Sequence, residues 1–147
     1  YFKHFGLVND EGFVNSEAQH RAVHLIQYFS SGETGLPENE MALAKLLCGL
    51  NISDVLETGF EISKEEKNEA EAMLQVVIKH WGALGNASNT ALRQSFLNRT
   101  GILVQKDGDW TLRVEDSGID ILLEKLPWSF GMIRLRWMQQ TIFVEWN

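Results

Sequence analysis

The sequence predicts an α+β fold: a four-helix N-terminal part followed by a small antiparallel sheet of about four short strands. Three observations carry this. Apolar residues recur with a helical period as far as Arg99. After Gly101 the period falls to two, and turn residues separate the short runs. Helices first and strands after is the order of an α+β chain, not of a βαβ chain. The 147 residues match the length of one domain, so 1–147 is expected to be a single domain. A hydrophobic fraction of 44% is enough for a core at this size and excludes long disorder.

The opening YFKHFGLVNDEGFVN is an apolar lead-in broken by a turn at Asn9–Asp10–Glu11–Gly12. Ser16 reads as an N-cap, with Glu17 in the first turn where the helix dipole favours an anion. Ala18, Ala22, Leu25, Ile26 and Phe29 then form one stripe, and Ser30–Ser31–Gly32 ends a helix over 16–30. A second helix is expected from Pro37, with Leu43, Leu46, Leu47 and Leu50 as its apolar stripe and Gly49 near its end. Ser63 and Glu66 spell a capping box for a third. Its stripe is Ala70, Met73, Leu74, Val77, Ile78 and Trp81, and Gly82 ends it. A fourth runs from a Ser88 cap to Arg99 and should bury Leu92, Phe96 and Leu97.

Ile102–Gln105 and Trp110–Glu115 flank Lys106–Asp107–Gly108–Asp109, a strong hairpin signal. Ile133, Leu135 and Trp137 alternate with Arg134 and Arg136, which predicts a strand with both arginines on one face. Ile142, Val144 and Trp146 alternate with Phe143 and Glu145 in the same way. Between them, Asp120–Lys125 reads as a helical turn that Pro127 terminates.

The formal net charge is −7, and the segment Glu33–Glu71 carries all of it, with ten acids against three lysines. Such a balance lacks the basic footprint of a non-specific nucleic-acid binder. One cysteine excludes a disulfide framework and a Cys-based zinc cluster within the chain. No apolar run approaches the ~20 residues that span a bilayer. The chain opens at Tyr1 instead of Met, as expected of a piece of a longer protein.

Glu17, His20 and His24, spaced i, i+3 and i+7, are the sharpest enzyme-like feature. Two histidines four apart can ligate zinc from one helical face. Position 21 is Arg, however, so the base of a His-Glu-x-x-His protease is missing. These residues project away from the apolar stripe, where a solvated or partner-facing surface is expected. Cys48 sits among leucines without a base and reads as core. No glycine-rich phosphate loop is present, and Asn51, Asn86 and Asn98 open sequons that read as turn and capping chemistry. A helix over 88–99 followed by a hairpin also fits a winged-helix DNA-binding domain, but that helix offers only Arg93 and Arg99. The residues thus predict no catalytic group, no cofactor and no metal. Trp110, Trp128, Arg134, Arg136, Trp137 and Trp146 form a candidate interface, since aromatics beside arginines anchor protein contacts.

Several stretches together resemble the contractile injection system tape measure proteins. They are HRAVHLIQYFSSGETGLPENEMALAKLLCGL from His20 to Leu50, VVIKHW from Val76 and LRQSFLNRTG from Leu92. WTLRVE from Trp110, KLPWS from Lys125 and IFVEW from Ile142 complete the series in the same order, over nearly the whole chain. The connector Ser129–Phe130–Gly131 departs from that pattern. The resemblance implies the C-terminal domain of a longer protein whose extended part lies in the inner tube of a phage-tail-like particle. It implies tube-length control, because an extended chain spans a fixed rise per residue. It brings no catalytic residues. The expected partners are inner-tube, baseplate-hub or cap proteins and further copies of itself on the tube axis, with no nucleic acid and no membrane. Assembly in the bacterial cytoplasm follows, inside a tube that can later leave the cell.

Overall fold

Two residues in each strand make the first pairing: β1 (Val8–Asn9) and β2 (Gly12–Phe13) run antiparallel around the anticipated turn. The computed structural model describes residues 2–127, 129 and 131–146. The chain divides into two compact units, Tyr1–Ala70 with Leu135–Gln139, and Glu71–Arg134 with Gln140–Asn147.

In the first unit, α1 (Ser16–Ser31) is capped by Asn15, not by Ser16. Asn15 has an extended backbone, and its side-chain oxygen accepts the Ala18 N–H at 2.7 Å. Gly32 ends the helix in the left-handed conformation and donates to the Tyr28 carbonyl. The predicted stripe is too narrow: Val23, Tyr28 and His20 are buried beside Ala18, Ala22 and Leu25, while Phe29 is half-buried. The second predicted helix is broken. Pro37 precedes a 3-10 turn at Glu38–Glu40, and only α2 (Ala42–Leu47) is α-helical.

Ala22, Val23 and Leu25 of α1 form the core with Leu7, Met41, Ala44, Cys48, Leu50 and Leu56. A half-buried aromatic arrangement closes it at one side. Trp137 lies 5.1 Å from Phe13 and 6.1 Å from Phe2 between ring centroids, and its indole N–H donates to the Leu47 carbonyl at 2.8 Å. Gly49 is required beneath it: its φ is +81°, and an added Cβ would fall 2.3 Å from the Trp137 carbonyl oxygen.

The division between the units falls within α3 (Lys64–His80). Its start is the predicted capping box, with Glu66 N–H to Ser63 Oγ at 3.1 Å and Ser63 N–H to Glu66 Oε1 at 2.9 Å. In the second unit Leu74, Ile78 and Trp81 are buried, and Trp81 packs against Phe96 with tilted rings, 4.7 Å between centroids, while its indole donates to the Leu122 carbonyl. The fourth predicted helix splits into α4 (Asn89–Leu92), capped by Ser88, and a π turn at Arg93–Leu97. The wider turn swings Leu97 off the stripe, leaving it 37% exposed, and Arg93 is buried instead.

β3 (Gly101–Lys106) and β4 (Asp109–Val114) form the predicted hairpin. Asp107 and Gly108 have φ of 53° and 86°, the two positive values that a tight primed turn demands. The helical turn expected at Asp120–Lys125 is a 3-10 turn over Gly118–Lys125, and Ser117 and Asp120 cap it reciprocally. β5 (Met132–Ile133) and β6 (Ile142–Trp146) complete a sheet of order β3-β4-β6-β5.

That order corrects the expectation of a purely antiparallel sheet. β6 inserts between β4 and β5, so it runs parallel to β4 and antiparallel to β5. Nor is there a strand over 133–137. β5 stops at Ile133, and Leu135–Gln139 pack in the first unit, where the Trp137 indole donates to the Leu47 carbonyl and Gln139 to the Gly49 carbonyl. Arg134 and Arg136 therefore do not share a strand face. No described helix is long and apolar enough to cross a membrane.

Candidate functional site

His20 and His24, one turn apart on α1, both grip the peptide of Glu57. The Glu57 N–H donates to His20 Nδ1 at 2.9 Å, and His24 Nε2 donates to the Glu57 carbonyl at 2.8 Å. His20 thus accepts through Nδ1, while His24 donates through Nε2. His20 is 8% exposed, so it is not on the solvated surface the spacing suggested. Neighbouring side chains hold the same segment. Lys45, 4% exposed, donates to the Ile52 carbonyl at 3.2 Å and the Asp54 carbonyl at 2.9 Å and pairs with Glu38. The Leu56 N–H bonds Glu38, which with Lys45 holds that carboxyl below its usual range.

These contacts make residues 51–57 a strap fastened by side chains in place of a backbone ladder. Sequence reasoning missed it, because the strap's partners are its backbone groups, which carry no residue-type signal. Replacing His20 with Ala is expected to cost about 1–2 kcal/mol, from one lost hydrogen bond and its packing. Hydrogen exchange at the Glu57 amide should quicken at least roughly tenfold. Unchanged exchange there would remove the clamp from the account.

Cys48 is fully buried, and burial alone pushes its thiol far above the ordinary range, opposite to a nucleophile's requirement. Among the described residues, no group of three or more His, Cys, Asp and Glu is placed to hold a metal ion. Glu17 is exposed on α1.

Two arginines of the second unit, the cations a winged-helix reading relied on, face inward to carboxylates. Arg93 pairs with Glu71 at 2.8 Å. Arg99 meets both oxygens of Asp120 at 2.6 and 2.9 Å, and also bonds the Ser95 and Glu115 carbonyls. The Arg99 guanidinium holds Asp120 below the usual carboxylate range, and Asp120 in turn raises Arg99. A polar hollow of about 460 Å³ lies beside this pair, lined by Gln94, Asn98, Glu115 and Asp116 among others.

The candidate interface residues are divided between the two units, with Arg136 and Trp137 in the first and Trp110, Arg134 and Trp146 in the second. Trp110 and Trp146 are half-buried on the sheet face that also carries the buried Val114 and Ile142. The Arg99 guanidinium stands 5.5 Å from the centroid of the Trp146 ring. Arg134 is exposed and reaches Thr141 Oγ1 at 3.4 Å. Arg136, in the other unit, is exposed and donates to the Asn9 carbonyl, next to the half-buried Trp137. Trp128 lies outside the described residues.

The opposite sheet face is partly exposed. Register places Val104, Thr111, Phe143 and Met132 in one row across all four strands. Phe143 is 43% exposed and Met132 58%. Ile102, 65% exposed, heads the next row, followed by Arg113 and Glu145, which pair at 3.2 Å.

The molecule these residues define is an α+β module that engages many of its charged side chains in its own structure and leaves a sheet face partly exposed. The family model described as contractile injection system tape measure protein matches residues 1–146, and the chain belongs to that family. Comparison with curated proteins and with solved structures gives no match.

Proposed function

We propose that this chain is the C-terminal anchoring domain of a longer tape measure protein, and that its work is structural and not catalytic. The family match over residues 1–146 carries this reading. A molecular ruler needs one end fixed, and a folded domain can bind a protein surface where an extended segment cannot. The partners that fit are inner-tube, baseplate-hub or cap proteins of the particle, together with further copies of this chain on the tube axis. The exposed Arg134 and Arg136 and the aromatic rims at Trp110, Trp137 and Trp146 are the residues offered to such contacts. Trp128 stands with them on its sequence position alone. Assembly takes place in the bacterial cytoplasm, within the growing tube.

The test separates anchor from ruler. Deleting residues 1–147 from the parent protein is expected to abolish or deregulate particle assembly. Trimming the region upstream of them should shorten the tubes in proportion, by up to about 3.3 Å per residue if extended and about 1.5 Å if helical. Electron micrographs showing unchanged tube lengths after such trimming would sink this reading.

A further inference from the structure

β3 is an edge strand, and its outer side is a ready-made ladder. The Glu115 N–H donates to the Thr100 carbonyl at 2.8 Å, and the Trp110 N–H points the other way, to the Thr141 carbonyl at 3.0 Å. In an antiparallel pair the residues that exchange hydrogen bonds alternate. The even-numbered residues of β3 therefore bond β4, and the N–H and C=O groups of Gly101, Leu103 and Gln105 point outward. No bond to these groups is made by any described residue. Edge strands are normally protected by a proline, a bulge, a covering element or several charges. β3 has one charge, Lys106 at its hairpin end, and no proline, and its register with β4 is unbroken. Gly101, Ile102, Gln105 and Lys106 are exposed.

We propose that a second copy of this chain pairs antiparallel with this edge, in the register that sets Leu103 opposite Leu103 of the second copy. This deepens the self-association part of the reading above. The alternation of outward groups permits only every second register, and among those this one matches side chains on both faces. On one face it gives an uninterrupted row Leu112–Leu103–Leu103–Leu112 across the seam, because Leu103 already lies opposite Leu112 within each copy. The other face places Ile102 of each copy against Val104 of its mate, covering the most exposed apolar side chain of the strand. Charges agree as well. Lys106 of one copy falls opposite Thr100 of the other, whose own neighbour is Glu115, so a cation approaches an anion at both ends of the seam. Gly101 falls opposite Gln105, and no like charges meet. About six backbone hydrogen bonds would join the two sheets into one.

A ladder this short buries less than a standard interface, so the dimer is expected at protein concentrations of about 0.1–1 mM. Sedimentation velocity over that range should show a reversible monomer–dimer equilibrium. Gln105→Pro removes an outward N–H, which an edge strand tolerates, and should weaken the dimer more than roughly tenfold, since symmetry deletes two bonds. Ile102→Lys, on an exposed side chain, should weaken it without touching the backbone.

Register is read by oxidation. Leu103→Cys should form an interchain disulfide, because directly opposed residues lie at about the Cα separation a disulfide needs. Ile102→Cys should not, since its opposite residue is Val104, and the buried Cys48 does not compete. A wild type that stays monomeric at 1 mM, or a dimer that survives both Gln105→Pro and Ile102→Lys, overturns the proposal. Either result leaves the tape measure assignment standing, because that rests on the family match and is tested by tube length.

Discussion

Replacing Asp120 with Ala is expected to destabilise the second unit by about 1–2 kcal/mol, because it removes both acceptors of the Arg99 guanidinium and the cap acceptor of the 3-10 turn together. The side chains of Arg99 and Asp120 are 11% and 12% exposed and meet through two charge-assisted hydrogen bonds, beside an open polar hollow that screens the pair in part. Asp120 also accepts the Ser117 N–H at 3.1 Å in the capping box of the 3-10 turn. Asp120→Asn separates the two roles: it keeps a cap acceptor, worth about 1 kcal/mol, and removes the charge. Urea titrations followed by hydrogen exchange at the β4 amides measure both variants. A loss for Asp120→Ala below about 0.5 kcal/mol, the range of an ordinary surface change, would remove the pair from the list of what holds this unit together.

The pH dependence has a fixed sign. Arg99 depresses the Asp120 carboxyl in the folded protein, so near pH 4 the unfolded chain binds more protons than the folded one. The pair's stabilisation is complete well above the unfolded aspartate value of about 3.9. It is lost as pH falls through the lower folded value. Asp120→Ala should flatten this acid limb of the stability curve.

Glu66→Ala is the second large effect, a loss of about 3–4 kcal/mol in the first unit. Glu66 is 5% exposed and receives two bonds from Arg21, of which Nε to Oε2 is 3.2 Å. It also closes the capping box by accepting the Ser63 N–H. Arg21 also donates to the Glu61 carbonyl, and its guanidinium lies 5.9 Å from the centroid of the Phe60 ring. Glutamine can cap as glutamate does but cannot neutralise Arg21, so Glu66→Gln should fall between Ala and wild type. Amide exchange in α1 and in the first turn of α3 reads both changes. Equal stability of Glu66→Gln and wild type would show that the cap alone matters.

Both predictions concern features of different legibility. The Ser63–Glu66 box and the Asp107–Gly108 turn stand in the sequence because their partners lie within four residues, where residue type alone decides the geometry. The long helix 16–31 was legible to within one residue at each end. What the sequence concealed is non-local. Alternation in Ile142–Trp146 specifies a half-buried strand but not its neighbour, and so the parallel pairing with β4 could not be read. Alternation in Ile133–Trp137 was real, yet Trp137 is held by Phe13 and the Leu47 carbonyl far back in the chain, and this ends the strand early. His20 and His24 advertised metal chemistry because their partner, the peptide of Glu57, has no side-chain signature. The family resemblance was legible for a different reason: it rests on ordered segments along the chain, not on any single site.

The excursion of Leu135–Gln139 sets a timetable for synthesis. Those five residues are the last part of the first unit to be made, and 64 residues of the second unit, from Glu71 to Arg134, are made before them. At about 5–20 residues per second a ribosome takes roughly 3–13 s to cover that stretch. Throughout that interval the nascent first unit lacks Trp137, so Phe2 and Phe13 have no indole to stack on and the Leu47 carbonyl no indole donor. Chaperones that bind exposed aromatics have a seconds-long window on every new chain. A chain released before Leu135 never leaves that window, so quality-control proteases meet it as an open substrate while full-length chains have already closed.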